Sequence, residues 1–444
     1  MKPARRFGAW LLGLALCACQ KESAPKPAKA SGAVQLANER AEPLAIARQL
    51  ALQPTLENTL TDRKLQGLEA LAHSAPRRSA PWIELGRTWV QKARESNDPG
   101  YYSNADACVT LALDVSPEDA LALDLRTLVL LNDHRFREAR ELAEGLLAKN
   151  PESTLAWGSS SDALLELGEL EAAERAAEKM LDLKPNLPSY SRVSYLRWLR
   201  GNVTEARELA RLAIDAGADP RAPEPRAFML VQAALLFWNQ GDIAGADAGF
   251  QRALETIADY PPALVGRARV ALAESDAPRA VRLLERAHHA SPLVETAWLL
   301  GKARNAAGDA PGAARAYADA ERDGQRSDPR TLALMLAARG IELERALTLA
   351  RRERETRGDI YTDDTLAWAL YRNRRFEEAK LAMLRARRWS TPDPRLLFHE
   401  GAIRLALGDT AQGRRLLEAA LRLNPHFDVE DAVEARELLH AGAG

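Results

Sequence analysis

Histidines are the first residues to test for chemistry, because imidazole binds transition metals and transfers protons near neutral pH. The chain has seven histidines, and only His288 and His289 are neighbours. Adjacent helix residues point about 100° apart, so this pair cannot hold one metal ion by itself. His399-Glu400 begins like a zinc-protease helix, but Ile403 stands where the second histidine is needed. The sequence therefore predicts no metal site.

The sequence lacks the usual motifs for nucleophilic catalysis and for phosphate binding. The sequence has no Gly-x-Ser-x-Gly turn, no Walker phosphate loop and no Gly-x-Gly-x-x-Gly that opens a helix after a strand. Carboxylate pairs such as Asp363-Asp364 and Glu377-Glu378 are numerous, and on helices such pairs are usually caps or solvated faces. With 61 basic and 62 acidic residues, no basic surplus is left for phosphates. We therefore expect a non-enzymatic protein with no cofactor and no nucleic-acid partner.

The N-terminus carries the features of a targeting segment. A basic start is followed by an apolar run over residues 7–18, which is too short to cross a bilayer but suits a signal peptide. The run ends in Leu16-Cys17-Ala18-Cys19, which resembles the bacterial lipobox. That resemblance implies cleavage after Ala18 and lipid on Cys19. Secretion by the same cleavage without lipid is the alternative.

The residues after the cleavage site indicate the cellular location. Gln20 stands where an aspartate would resemble an inner-membrane retention signal, so the resemblance implies a lipid anchor in the outer membrane, facing the periplasm. We assign residues 1–18 to a lipoprotein signal peptide. Residues 19–34 are assigned to the lipidated cysteine and a flexible tether rich in Pro, Ala, Ser and Lys. Cys108, which sits among apolar residues, is the one cysteine in the remaining body and is expected to be buried.

The body is organised by a column of small residues. Its ten positions are 33 or 34 residues apart, except for one interval of 40. They are Ala105, Ala139, Ala173, Ala206, Ala246, Ala280, Ala313, Ala346, Ala379 and Gly413. Small residues let two helices approach closely, and prolines that follow the same period end helices. The pattern predicts consecutive pairs of antiparallel helices.

This pattern resembles the tetratricopeptide repeat, whose unit is about 34 residues of helix–turn–helix. The resemblance covers residues 60–425, nearly the whole mature chain. It implies an all-α fold, an α-solenoid of about ten stacked repeats that form a right-handed superhelix with a concave and a convex face. One helix pair cannot bury its apolar face alone, so neighbouring pairs must stack.

The same columns divide the body into segments. We expect an N-terminal helical cap over residues 35–59 and a C-terminal capping helix over residues 428–444. Repeats are expected over residues 60–214 and 227–427. The turn-rich insertion between them, residues 215–226, is interpreted as a long surface loop, because the column of small residues resumes unchanged after it. A hinge between the two blocks is the alternative.

Aromatic residues supply the candidate binding site. Trp82 and Trp157 fall at repeat-core positions. Projecting the first helix of each unit onto the resembled repeat places another set on the concave face, and aromatic residues are enriched in recognition hot spots. This set is Tyr195, Trp198, Leu235, Trp238, Trp298, Trp368 and Tyr371. A register shift of one residue would return these side chains to the core, so groove and core both remain open at this stage.

The charged neighbours of that set help to choose between partners. Arg87, Asp162, Arg269 and Lys302 share its face and do not reproduce the clamp by which some family members hold a C-terminal carboxylate. We expect a scaffold or assembly factor that binds protein or peptide partners of the cell envelope. The alternative is a receptor that captures a short peptide or glycan in an aromatic groove. An open apolar strip would favour the scaffold, and a compact cavity closed at both ends would favour the receptor.

Overall fold

The computed structural model describes residues 42–55 and 59–441, and the ordered elements in these ranges are helices. The predicted all-α solenoid is confirmed. Of residues 1–45, the structure describes 42–45, which begin the first helix. The other described residues belong to the compact unit Ile46–Gly444. Within the described ranges, no helix combines the length and apolar character needed to cross a membrane.

Ten helix pairs make up most of this unit. The helices before and after the pairs are α1 (42–51), α2 (Leu60–Ser74) and α23 (Asp431–Ala441). The first helices of the pairs are α3 (Ser79–Ser96), α5 (Ala120–Asn132), α7 (Thr154–Leu167), α9 (Leu187–Leu199), α11 (Glu224–Asn239), α13 (Pro261–Ala273), α15 (Val294–Ala306), α17 (Pro329–Arg339), α19 (Ile360–Arg372) and α21 (Pro394–Ala406). The second helices are α4 (Tyr102–Val115), α6 (Phe136–Lys149), α8 (Leu170–Leu183), α10 (Val203–Ala216), α12 (Ile243–Thr256), α14 (Ala277–Ala290), α16 (Ala310–Ser327), α18 (Leu343–Thr356), α20 (Phe376–Ala386) and α22 (Thr410–Leu423).

A Gly-Asp dipeptide shapes the turn inside several pairs. In Gly241-Asp242 and Gly308-Asp309 the glycine has a positive φ, which ends the first helix without a Cβ clash. The aspartate is the N-cap of the second helix, and its carboxylate accepts a backbone N–H at 2.8 Å in α12 and at 2.9 Å in α16. Two adjacent residues therefore stop one helix and start the next.

The column of small residues lies where the helices of a pair meet. Ala139, Ala173 and Ala280 are fully buried in α6, α8 and α14. Each stands at the same position of its helix, three residues after the first. A larger side chain there would push the two helices apart, so the period of the column follows from close helix contact.

Overpacking this column tests the repeat register. We expect Ala173→Leu to lower the free energy of unfolding by about 1–3 kcal/mol, because the added atoms meet a packed interface. Arg175→Leu is the matched control, since Arg175 is exposed on the same helix and its change should cost less than about 0.5 kcal/mol. Urea denaturation of both variants measures the difference, and equal midpoints would contradict the register.

The solenoid also contacts itself across distant repeats. Leu199 O accepts a hydrogen bond from Thr391 Oγ1 at 2.6 Å, and Trp238 O accepts one from Asn424 Nδ2 at 2.7 Å. Near the start, Asn97 O accepts one from Ser291 Oγ at 2.6 Å. These partners are 186 to 194 residues apart in the sequence. The loop between the two helices of one pair therefore contacts the loop that follows the second helix of another pair, five pairs further along the chain.

We call this line of contacts the seam. Its first side is Asn97, 166–171, 199–201 and 238–241, and its second side is Ser291, 357–359, 389–391 and 423–424. At its centre, Gly358 N–H donates to Glu166 O at 2.7 Å, and a Cβ at Gly168 would lie 2.1 Å from Gly358 O. In the same way, a Cβ at Gly201 would lie 3.1 Å from Ser390 O, and a Cβ at Gly241 would lie 2.6 Å from Leu423 O. Glycine allows the two backbones to touch at each crossing.

Charged and aromatic side chains reinforce the seam. Buried Arg357 lies 2.5 Å from Glu166 and 3.5 Å from Asp359. Trp389 donates its indole N–H to Glu171 at 2.8 Å, and the Arg200 guanidinium covers the Trp389 ring at 4.1 Å. Burial opposes charge at Asp359, but Arg330 and Arg357 keep its pKa below the usual value. Removing one ion at this seam would leave its partner buried without compensation.

Candidate functional site: an interior cavity

The first helices enclose a cavity of about 340 Å³. Its walls come from seven consecutive first helices, α9 to α21, and from α23. The seam brings Tyr361, at the start of α19, over Trp198 of α9, with the two rings stacked 6.5 Å apart. What would be an open groove in a loosely wound solenoid is therefore covered here by the chain's own later repeats.

The predicted aromatic set divides into two groups. Five of its members line the cavity, namely Tyr195, Trp198, Leu235, Trp238 and Trp298. Trp368 and Tyr371 are outside the cavity wall and stack on each other at 4.8 Å. Trp368 also stacks on His399 at 4.0 Å, in the packed layer between α19 and α21.

Burial bears on the choice between groove and core that the sequence leaves open. Trp198, Trp238 and Trp368 are 4%, 5% and 1% exposed, so they take part in packing within the solenoid. Trp82 is buried as expected, whereas Trp157 is only half-buried and donates its indole N–H to Pro151 O. The period of the sequence fixes which face of a helix points inward, but it does not show what covers that face.

Ion pairs surround the cavity. Buried Lys302 lies 2.8 Å from Asp428 and 3.3 Å from Glu430, and its ammonium lies 4.6 Å from the Trp298 ring centre. Burial disfavours the charge on Lys302, but the carboxylates around it outweigh burial and raise its pKa. Arg269 pairs with Glu295 at the same wall. Lys302 therefore connects α15 to the C-terminal residues and stays charged.

A buried histidine and aspartate form a second polar cluster. His399 Nδ1 lies 2.7 Å from Asp364 Oδ1, and Arg395 Nε lies 3.5 Å from Asp364 Oδ2. His399 is 1% exposed, yet it belongs to the cavity wall. This contact occupies Nδ1, so Nε2 is the ring nitrogen of His399 without a hydrogen bond among the described residues.

Sequence reasoning missed the side of the cavity that the later repeats provide. Tyr361, Arg395, Phe427 and Asp431 line it, and none was chosen from the sequence. His399 was considered as a metal ligand and not as part of a binding wall. The charged residues Arg269 and Lys302 do belong to the wall, while Arg87 and Asp162 pair with Glu84 and Arg192 elsewhere. Contacts across some 190 residues carry no local sequence signal.

Other candidate chemistry is limited to isolated groups. Across 42–55 and 59–441, no three His, Cys, Asp or Glu side chains come together in a way that could hold a metal ion. Cys108 is buried, and burial raises the pKa of its thiol above the usual range. Cys19, the proposed lipidation site, lies outside the described residues.

Comparison with known proteins finds a similar repeat family for part of the chain. Residues 128–188, from α5 into α9, match the family model described as tetratricopeptide repeat. This match supports the tetratricopeptide-repeat family. A mouse protein, Tetratricopeptide repeat protein 33, is 30% identical over 113 residues. That alignment covers 26% of this chain and 42% of the mouse protein, so the chain spans less than half of that relative.

Solved tetratricopeptide-like solenoids are similar at low identity. Human IFIT1, crystallised as a dimer with PPP-AAAA, is 13% identical with a TM-score of 0.47, covering 86% of this chain and 94% of its own. PilW, described as a widely conserved type IV pilus biogenesis factor, is 19% identical with a TM-score of 0.40, covering 48% and 96%. Tetratricopeptide-repeat proteins generally bind other proteins or assist assembly.

Proposed function

We propose that this chain is a non-enzymatic, lipid-anchored scaffold or assembly factor that binds protein or peptide partners of the bacterial cell envelope. Lipid on Cys19 would hold it at the outer membrane, facing the periplasm, and residues 20–34 would act as the tether. The proposal is supported by the extent of the repeat array, because ten stacked pairs occupy the chain from Ser79 to Leu423.

The surface for such partners differs from the one that the sequence suggested. Three of the seven residues predicted on the concave face are buried and the other four are partly buried, so a protein partner would contact side chains that remain exposed on the outside. Large apolar side chains with 42% to 59% exposure include Leu121, Leu155, Phe228, Leu381 and Leu384. Leu381 and Leu384 lie one helical turn apart on α20, where they offer adjacent apolar contacts.

The cavity favours a second candidate function. A receptor would hold a short peptide or glycan among aromatic walls with a few polar groups, as small-molecule sites commonly do. The chain has a cavity of about 340 Å³, lined by five members of the predicted aromatic set. The two functions use different surfaces and can be tested separately.

Loss of the anchor tests the proposed location. We expect Cys19→Ala to move the protein from the membrane fraction to the soluble fraction, or to leave an uncleaved precursor, because the variant has no acyl acceptor. Cys17→Ala is the matched control and should stay with the membrane. A processed Cys19→Ala protein that still sediments with outer membranes would contradict the lipoprotein assignment.

Crosslinking in the native cell tests the scaffold against the receptor. A photo-crosslinking residue at Leu381 samples the outside, and one at Leu235 samples the cavity. The scaffold predicts protein adducts at Leu381 and at other exposed leucines. The receptor predicts adducts at Leu235 alone. Absence of adducts at every position tested would count against both.

A further inference from the structure

One carboxylate in the cavity wall has no partner. Asp431 is 9% exposed, and its carboxylate has neither a hydrogen bond nor a cation within salt-bridge distance among the residues that the structure describes. Burial and neighbouring Asp428 raise the pKa of Asp431 to about 6. Lys302, which lies near it, is already engaged by Asp428 at 2.8 Å. Asp431 therefore keeps its full capacity to accept hydrogen bonds.

A second carboxylate of the wall is only partly satisfied. Asp393 accepts the Arg395 backbone N–H at 2.9 Å and the Tyr361 hydroxyl at 3.2 Å. Across 42–55 and 59–441, no lysine or arginine forms a salt bridge with it. The arginine on the same helix, Arg395, pairs with Asp364 instead, at 3.5 Å. Among the described residues, no lysine or arginine thus forms a direct salt bridge with Asp393 or Asp431, although Arg395 and Lys302 lie near them.

A third polar group lines the same space. His399 is only 1% exposed, and its Nδ1 lies 2.7 Å from Asp364 Oδ1. Its Nε2 has no hydrogen-bond partner in the described part of the chain, although the residue belongs to the cavity wall. Nε2 is therefore the ring nitrogen that is left to contact a bound molecule.

The remaining walls suit a cation as well as an apolar chain. Six aromatic side chains contribute, namely Tyr195, Trp198, Trp238, Trp298, Tyr361 and Phe427. The face of an aromatic ring attracts a desolvated cation, and Lys302 over Trp298 at 4.6 Å already shows this arrangement within the wall. Aromatic faces together with unpaired acceptors are what a buried ammonium or guanidinium needs.

We propose that the cavity binds a protonated amine or guanidinium carried on a slender alkyl chain, with Asp431 accepting its hydrogen bonds. The aromatic walls would hold the alkyl chain. This inference rests on the receptor function proposed above and names its ligand chemistry. Two sources share that chemistry: a free diamine, and the lysine or arginine side chain of a peptide.

Calorimetric titration of the full chain with matched probes tests the inference. The cationic probes are 1,5-diaminopentane and N-acetylarginine amide, and the neutral ones are 1,5-pentanediol and N-acetylcitrulline amide. We expect the cationic member of at least one pair to bind about tenfold or more tightly than its neutral partner, because a charge-assisted hydrogen bond is lost in the latter. The pair that responds identifies the source.

Variants locate the binding. Asp431→Asn should weaken the cationic probe about tenfold or more, whereas Glu437→Gln, an equal change of charge at an exposed position of the same helix, should leave it unchanged. Trp298→Leu, which removes an aromatic wall without touching the carboxylate, should also weaken it. Thermal melting of each variant verifies that it is folded.

Two outcomes would overturn the inference in distinguishable ways. Equal binding of cationic and neutral probes, or unchanged affinity in both Asp431→Asn and Trp298→Leu, would exclude the cation site while leaving a receptor in place. No binding by any probe would exclude the cation site too, and adducts at Leu381 without any at Leu235 would then assign the function to the outer surface.

Discussion

Truncation of Trp368 to Ala is expected to lower the free energy of unfolding by about 3–5 kcal/mol. The side chain is 1% exposed and is surrounded by the rings of His399, Tyr371 and Phe398, whose centres lie 4.0, 4.8 and 5.2 Å away. Its removal leaves a cavity that these rigid neighbours cannot fill. Urea denaturation followed by circular dichroism measures the loss.

An exposed aromatic residue provides the control. Phe228 on α11 is 42% exposed, so Phe228→Ala should cost less than about 1 kcal/mol. If Trp368→Ala were as stable as Phe228→Ala, Trp368 would lie at an open surface, as the groove hypothesis requires. Truncation of Trp198 or Trp238, both of which are buried, should lower the free energy of unfolding about as much as truncation of Trp368. Binding assays on these truncations must therefore be corrected for unfolding.

Gly168→Ala is expected to destabilise the chain by about 2 kcal/mol more than Gly308→Ala, because only the first substitution overpacks a contact. Both glycines end a first helix with nearly the same φ, +81° and +80°, so the strain of a left-handed alanine is common to both. A Cβ at Gly168 would lie 2.1 Å from Gly358 O, whereas a Cβ at Gly308 meets no described atom within 4 Å. The difference between the two variants isolates the seam.

Two measurements separate local strain from loss of the seam. Urea midpoints give the free-energy difference, and small-angle scattering reports whether the coil opens in Gly168→Ala. A larger radius of gyration in Gly168→Ala alone is the expected result. Identical midpoints and radii for the two variants would mean that the seam contributes nothing to stability in solution.

Local features made the helix pairs predictable. A buried alanine such as Ala173 must recur with each unit, because two helices can touch only where a side chain is small. The Gly-Asp turn of Gly241-Asp242 recurs for an equally local reason, since it ends one helix and caps the next. The period and the turn chemistry depend on residues that are close in the sequence, so the sequence alone was sufficient to predict the fold class.

The candidate site was less predictable because it depends on curvature. Whether Trp198 meets solvent or Tyr361 is decided by small rotations between successive pairs, which add up until α19 passes over α9. No single residue records that sum. The inward direction of five of the seven chosen side chains could be inferred, but the opposite wall, including His399 and Asp431, could not.

The seam has a consequence for how such a chain can evolve. In an open solenoid each repeat touches only its neighbours, so a unit can be duplicated or lost at any point. Here Glu166 requires Arg357, and Trp238 O requires Asn424, each five pairs further along. An internal duplication would bring the wrong loops together at every later crossing. New repeats could be added only at an end, so we expect homologues to differ in length there and to conserve the number of units between crossing loops.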